Sequence, residues 1–503
     1  MNKNMRNQLY LIATFIFALL LSGCGDNSKE KTIYQLEKLH ADAQKAGERL
    51  GIKPELATEA DLRAVIDEHE EVVQYFQENF SDLAEQESPS ESEIDASNLA
   101  GQSLLRTAEL SLQLGDTTAA EKSLADFETI FHHNPQQQKF AWLRLAHLLD
   151  DQRKTEKVEQ IYNKLIETYY PPVDSAGVPD MDIVSLPHDL AAYFYGVGNE
   201  DKGLRYSKGA IDYYNQLRND YPASVAWMAA TRLLAETYRS TDQPQAAIDL
   251  LLSTVDSSGT FSRGPLMLAA QTFLDDLAKP DSAVKYYRRV LDFGIDSLYA
   301  PTALLQLGNA LLREQRYQQS RDALNQLLEL EYAAEHHPLA QRMIAVSYEE
   351  QKQYNQARDA YTAIIERYPT HSISYETYLY LPEFFDKQGK KQLSDQWYNR
   401  AEAFFAGMRN DYPRKTVGAA AQEYLARLYI KYEAWDDAVR ALRKLPEDFK
   451  NFRFANDAYF RIGAIFQNRL NQADSARVYY QKQIDAYPGS RPSELAMQSI
   501  ETL

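Results

Sequence analysis

The feature that most restricts how this chain can fold is a spacing. A small residue is followed twelve or thirteen positions later by another, each inside an amphipathic stretch. Residues 338–369, PLAQRMIAVSYEEQKQYNQARDAYTAIIERYP, carry the pattern most fully. Apolar residues recur there at helical intervals. They predict one helix from about Ala340 to Gln351 and a second from about Asn355 to Tyr368, stopped by Pro369. Ala345 and Ala357 stand where the two helices must approach closely. A larger side chain there would hold the backbones apart, at a cost of roughly 1–3 kcal/mol. Ile344, Tyr348, Tyr361, Ile364 and Ile365 supply the apolar filling. A single hairpin of this kind cannot bury both its faces, so it requires neighbours.

The rest of the chain supplies them. Comparable pairs are Ala108 and Ala120, Ala146 and Val158, Ala235 and Ala247, Gln271 and Ala283, Gly308 and Ser320, Ala426 and Ala438, and Gly463 and Ala476. A third and an eighth hairpin are less regular. The eighth has Pro382 inside its first helix, and both end in the sequence RNDYP. Small residues at this spacing, Tyr348 three after the first and Tyr361 four after the second, with a closing proline, resemble the tetratricopeptide repeat (TPR). The resemblance implies an all-α fold, a TPR helical-hairpin solenoid of about ten repeats.

Ahead of the repeats, residues 32–80 show two helical patterns, broken at Gly51 and Pro54, and are expected to form an N-terminal helical hairpin. Residues 81–98, acidic and serine-rich, read as a linker. RNDYP at 218–222 returns at 409–413, 191 residues on, and Tyr238, Ala247, Leu251 and Phe261 align with Tyr429, Ala438, Leu442 and Phe452. These matches point to a duplicated five-repeat block, residues 99–296 and 297–490. The first block has an insert at 172–187, PVDSAGVPDMDIVSLP, expected to be an exposed loop. Residues 491–503 are expected to form a capping helix over the open end of the stack.

The first 23 residues begin with Lys3 and Arg6, continue with the apolar run LYLIATFIFALLL and close on LSG before Cys24. A basic start, a short apolar core and a small-residue end make a secretory signal peptide, and the run is too short for a comfortable membrane span. The stretch LSGC resembles the bacterial lipobox. By that resemblance Cys24 is lipidated and becomes the mature N-terminus, residues 24–31 form a tether, and the protein is lipid-anchored in the bacterial cell envelope. Gly25 after the cysteine leans towards the outer membrane.

Several function classes find no foothold. There is no glycine-rich phosphate loop, no GxSxG and no HExxH. No catalytic residue, cofactor or metal site is expected, and the chain does not read as an enzyme. One cysteine excludes an intrachain disulfide framework and a multi-cysteine zinc site. Histidine pairs at 132–133 and 336–337 read as favourable charges at the ends of second helices, since adjacent helical residues diverge by about 100° and grip one metal poorly. The formal net charge of −18 suits neither nucleic acid nor anionic lipid.

In TPR proteins the first helices line the concave face. Carried over by position, the resemblance places Arg232, Glu236 and Arg239 in that groove from the fourth repeat, Arg342, Glu349 and Glu350 from the seventh, and Glu423, Arg427 and Lys431 from the ninth. Several are i,i+4 pairs of opposite sign, which support a helix whether or not anything binds. The basic members stand out against an acidic protein and would steer an acidic or polar segment inward. The expected partners are envelope proteins or peptides in the concave groove, with the membrane held through lipidated Cys24. The nearest likeness is to the TPR lipoproteins of outer-membrane protein assembly and envelope biogenesis. The alternative is a SusD-like lipoprotein that captures glycans or nutrients for an outer-membrane transporter.

Overall fold

The structure, a computed structural model, describes residues 28–503 apart from 53–58, 84–88, 132–133, 152–153, 175–176, 257–261, 295–297, 414, 450–451 and 489. The signal peptide, Cys24 and the first histidine pair lie outside the described residues. Among the described residues the fold is all-α, with 24 α-helices, and no helix is long and apolar enough to cross a membrane. It is the TPR helical-hairpin solenoid that the spacing implies. Compactness divides the chain into two units, one ending at Thr241 and the other beginning at Asp242.

In the first unit, α1 (Ser28–Ile52) and α2 (Glu59–Asn79) form the expected N-terminal hairpin. Helix α1 already includes residues 28–31, so the expected tether is partly helical. The expected linker is shorter than 81–98 as well. Helix α3 (Glu91–Gln113) takes up its second half, because Ser90 and Glu93 form a capping box that starts the helix there. The repeats continue with α4 (Thr117–Ile130), α5 (Pro135–Asp151) and α6 (Thr155–Thr168), then α7 (Met181–Val184), α8 (Leu186–Gly196), α9 (Glu200–Asp220) and α10 (Val225–Ser240).

The insert at 172–187 corrects the loop expectation. Its first part is irregular and carries a single bridge between Val173 and Pro179. Its second part is helical; Ile183 and Leu186 are buried against Trp142 and Leu165, and Val184 is fully buried. Lys139 of α5, almost fully buried, reaches Asp180 at 2.7 Å and holds the insert down.

The second unit holds α11 (Pro244–Ser253), α12 (Arg263–Asp275), α13 (Pro280–Leu291), α14 (Ala300–Arg313), α15 (Tyr317–Leu328), α16 (His337–Glu350), α17 (Tyr354–Arg367) and α18 (Ser372–Asp386). It closes with α19 (Lys391–Asp411), α20 (Thr416–Lys431), α21 (Trp435–Asp448), α22 (Ala458–Asn468), α23 (Ala473–Ala486) and α24 (Arg491–Glu501). Helices α16 and α17 are the pair expected from 338–369. His336 and His337 lie at the start of α16 rather than at the end of a second helix, and His337 Nε2 is 3.1 Å from the Leu330 carbonyl.

The small positions do what the spacing requires. A Cβ on Gly308 would meet the Leu324 side chain at 2.6 Å, and one on Gly463 would meet the Tyr480 ring at 2.6 Å. The irregular repeats have such pairs too. Ala191 and Gly203 serve the third, and Pro382 and Ser394 the eighth; all four are buried. In the fifth repeat, Gln271 is exposed and fully buried Ala270 takes the close position instead.

Each described turn within a repeat has one residue at positive φ: Gly115, Gly198, Asp242, Ala278, Gln315, Lys352, Gly389, Glu433 and Asn471. In many of these turns an N–H beyond this residue bonds back to the last helical turn, as Gln353 does to Tyr348 at 2.9 Å. That closes a Schellman-type cap, which satisfies carbonyls the helix end would otherwise orphan.

Candidate protein-interaction groove

Three first helices of the second unit, α18, α20 and α22, border a groove of about 550 Å³. Glu376, Leu379 and Tyr380 come from α18, Arg427, Ile430 and Lys431 from α20, and Arg461 from α22. The apolar part is Leu379, Ile430 and the Tyr380 ring. The polar part is mostly cationic, but each cation is held differently.

Lys431 Nζ donates to Glu383 Oε2 at 2.7 Å and to the Leu379 carbonyl at 3.1 Å, so it bridges α20 to α18. Lys387 reaches the other oxygen of Glu383 at 2.8 Å. Hydrogen bonds from Lys387 and Lys431 hold the Glu383 carboxyl below the usual range. Arg461 bridges α22 to α20 through Glu423 at 2.8 Å. Burial, helped by the Asp457 charge, pushes the Glu423 carboxyl up against the pull of Arg461 and Arg427. Arg342 on α16 takes Glu376 at 2.8 Å.

Arg427 is different. It is exposed, and its guanidinium lies 4.8 Å from the centre of the Tyr424 ring. Among the described residues no carboxylate stands within ion-pair distance of it. Tyr380 is fixed from behind, its hydroxyl donating to Glu349 Oε1 at 2.5 Å while Tyr361 donates to Oε2 at 2.8 Å. Burial first, and then the bond to Glu349, raise the Tyr380 phenol well above its ordinary value. It stays a neutral donor.

The residues expected in the groove thus take several places. Arg427 and Lys431 line it, and Glu423 lies behind Arg461. Arg342 anchors a lining residue, Glu349 props Tyr380, and Glu350 is exposed on α16. On α10, in the first unit, Arg232 and Glu236 pair with each other at 2.9 Å, and Arg239 is half-buried. None of these three lines the groove. Leu379 and Tyr380 escaped the sequence reading because their register needed Pro382 recognised as a close-contact residue, and Arg461 escaped it although Gly463 fixes its register. Tyr380 and Arg461 both lie two residues before the close position of their repeats, Pro382 and Gly463, which is the signal that would have found them. The arrangement offers hydrogen-bond donors, an exposed guanidinium with no described carboxylate within ion-pair distance, and an apolar floor. It holds no nucleophile–base pair, and the described residues contain no group of three metal-ligating side chains.

A family model of the tetratricopeptide repeat matches residues 302–331, 339–371 and 457–490, so the chain carries TPR repeats. Solved structures similar to it include yeast Tom70, at 13% identity and TM-score 0.34, covering 95% of this chain and 94% of that one. A tetratricopeptide repeat protein from Parabacteroides merdae ATCC 43184 shows 13% identity and TM-score 0.29, covering 57% and 97%. MamA from Desulfovibrio magneticus RS-1 shows 14% identity and TM-score 0.28, covering 36% and 96%. No curated protein matches the chain.

Proposed function

We propose that this protein is a lipid-anchored scaffold of the bacterial envelope that gathers other proteins through the groove of α18, α20 and α22, in outer-membrane protein assembly or envelope biogenesis. The observation that carries the reading is Arg427. It is a cation without a carboxylate partner, beside an apolar floor, in a chain with a large excess of acid. Such a site suits a polypeptide segment that places an acidic side chain next to an aliphatic or aromatic one. TPR arrays work by presenting such surfaces rather than by catalysis. Anchoring through Cys24 rests on the lipobox resemblance, and the two acyl-bearing positions of a processed lipoprotein would suffice to hold it. The sugar-capturing alternative calls for large irregular insertions, and the one sizeable insert here packs Ile183, Val184 and Leu186 into the core.

The test places a photocrosslinking amino acid at Ile430 in the full-length protein in its host, with a second at Arg232 as control. Polypeptide adducts at 430 and not at 232 are expected. With the captured partner purified, Arg427→Glu should weaken binding at least tenfold, about 1.4 kcal/mol, with the wild-type affinity falling as salt rises. Unchanged affinity with the fold intact would move the site elsewhere. Fatty-acid labelling that depends on Cys24 tests the anchor independently.

A further inference from the structure

Three helices of the first unit meet on one hydroxyl. Ser103 of α3 is fully buried, and its Oγ lies 3.0 Å from Nδ1 of His40 on α1 and 3.2 Å from Nδ1 of His69 on α2. The two imidazoles are only 5% and 3% exposed, and their ring centres are 6.5 Å apart. A hydroxyl has one proton to donate and lone pairs to accept with. With both rings neutral the count closes: Ser103 donates to one Nδ1 and accepts from the other ring's Nδ1–H. Nε2 of His40 is buried without a hydrogen-bond partner. A proton placed there would be a donor with no acceptor.

Among the described residues, nothing around the pair welcomes positive charge. The charged or titratable groups facing it are His40 from α1, His69 from α2 and Arg106 from α3. Arg106 is 2.9 Å from Glu109. The buried carboxylate of α3, Glu93, lies ten residues before Ser103 and is taken by Lys29 and the Ser90 cap. Ten residues of helix are about 15 Å. Burial lowers both histidines, His69 to about 4, to which the nearby His40 and Arg106 contribute. The rest of the seat is a close apolar fit, with Leu36, Ala43, Val72 and Phe76 in one core with Ala96, Ala100 and Leu104.

We propose that the α1–α2 hairpin is a pH-operated latch on the first repeat: protonation of His40 and His69 unseats it from α3 and uncovers the apolar face of α3. Protonation turns every ring nitrogen into a donor and sets two cations against each other and against Arg106. Because the folded state favours the neutral rings, the hairpin is fully seated above the ordinary histidine value of 6.5 and is released progressively as pH falls from there to about 4. Release would expose Ala96, Ala100 and Leu104, a surface a second apolar helix could occupy.

The test is hydrogen–deuterium exchange of the full-length protein at pH 7.5 and 5.0, corrected for the intrinsic rate and read by peptide. Protection of 28–52 and 59–79 should fall at least tenfold at pH 5.0, while that of α13 changes less than twofold. The His40→Gln/His69→Gln variant keeps a neutral hydrogen-bonding group opposite Ser103 and should stay protected at both pH values. Wild-type protection that holds at pH 5.0, or that falls equally in the variant, overturns the latch. If the variant is already loose at pH 7.5, histidine NMR of the wild type decides. Midpoints below 5 that track the loss of protection support the latch, and midpoints near 6.5, or titration without loss of protection, overturn it.

Discussion

In the first unit, most of the ion pairs that tie one described repeat to the next lie on the second helices. Glu121 of α4 takes Lys154 and Lys157, Glu128 takes Lys164, and Glu159 of α6 takes Lys202 and Arg205 of α9. In the second unit they lie mainly on the first helices, as Arg313–Asp275, Arg342–Glu376, Lys431–Glu383 and Arg461–Glu423. The exceptions are Lys29–Glu93 at 2.5 Å, Lys139–Asp180 at 2.7 Å and Arg144–Glu109 at 4.0 Å in the first unit, and Arg316–Asp281 at 3.7 Å in the second. The difference shows where each unit commits its charge. A ladder on the second helices leaves the first-helix face to chance. A ladder on the first helices neutralises the acids of the groove and leaves Arg427 over.

The contrast is sharpest between α10 and α20, which correspond at an offset of 191 residues. Arg232 stands where Glu423 stands and Glu236 where Arg427 stands, so the signs are inverted. On α10 the two close on each other within one helix. On α20 Glu423 turns to Arg461 on the next first helix, so Arg427 is not consumed. Leu268 occupies, in the sequence register, the place of Arg461. Three differences between corresponding positions thus separate a self-satisfied helix from one with a charge to offer.

The largest effect should come from removing the best-held carboxylate of the second-helix ladder. Glu159 accepts from Lys202 at 2.5 Å, Tyr206 at 2.6 Å and Arg205 at 3.0 Å. Glu159→Ala should cost about 2 kcal/mol, since several charge-assisted bonds go at once. Thermal unfolding gives the loss, and hydrogen exchange should localise it to α6 and α9. A loss below about 0.5 kcal/mol would mean the ladder is ornamental and the comparison empty.

The next effect is one of sign. Burial alone would raise the Glu159 carboxyl, but the bonds from Lys202 and Tyr206 and the charges of Lys202 and Arg205 bring it below its usual value. A lowered carboxylate contributes stability above its unfolded value and loses it as pH falls through the folded one. Glu423 is raised, so its contribution is present below the unfolded value and lost as pH rises through the folded one. Glu159→Gln should therefore cost about 1 kcal/mol at pH 7 and little at pH 3. Glu423→Gln should show the opposite slope, its cost relative to wild type falling as pH rises from 3 to 7, because burial disfavours the charged form. Melting temperatures of both variants at the two pH values check this, and parallel pH profiles would erase the distinction.

Much of this was legible in the residues. Helix pairs follow from apolar periodicity and from the small positions, because a close backbone approach admits few side chains. What stayed hidden has local causes. Pro382 occupies a close position, yet a proline inside a helix reads as a break rather than a contact. An extra turn residue shifted the fifth repeat by one, from Gln271 to Ala270. Gln315, Lys352 and Glu433 adopt the left-handed turn conformation without the glycine that would announce it. In the insert, turn-forming Pro and Asp concealed the apolar Ile183, Val184 and Leu186. Within the groove, Arg427 and Lys431 were found because α20 is regular. Their different roles depend on contacts that span 38 to 52 residues of sequence, which no helical spacing encodes.

The smallest expected effect is also the cleanest test of the inverted pair. Arg232 and Glu236 are an i,i+4 pair on one helix, and Arg232 is about half exposed. Such pairs contribute about 0.3–0.5 kcal/mol, because water screens them and both side chains lose freedom in pairing. Arg232→Ala should therefore lower stability by no more than that, and less in high salt. It also frees Glu236, an acid, on the helix corresponding to α20. If the first-helix face of α10 took part in binding the same partner, this change would repel an acidic segment and weaken capture. If binding belongs to α18, α20 and α22 alone, affinity for the partner captured at Ile430 should be unchanged in Arg232→Ala while it falls at least tenfold in Arg427→Glu. Equal losses in the two variants would place both helices in one binding surface and remove the distinction between them.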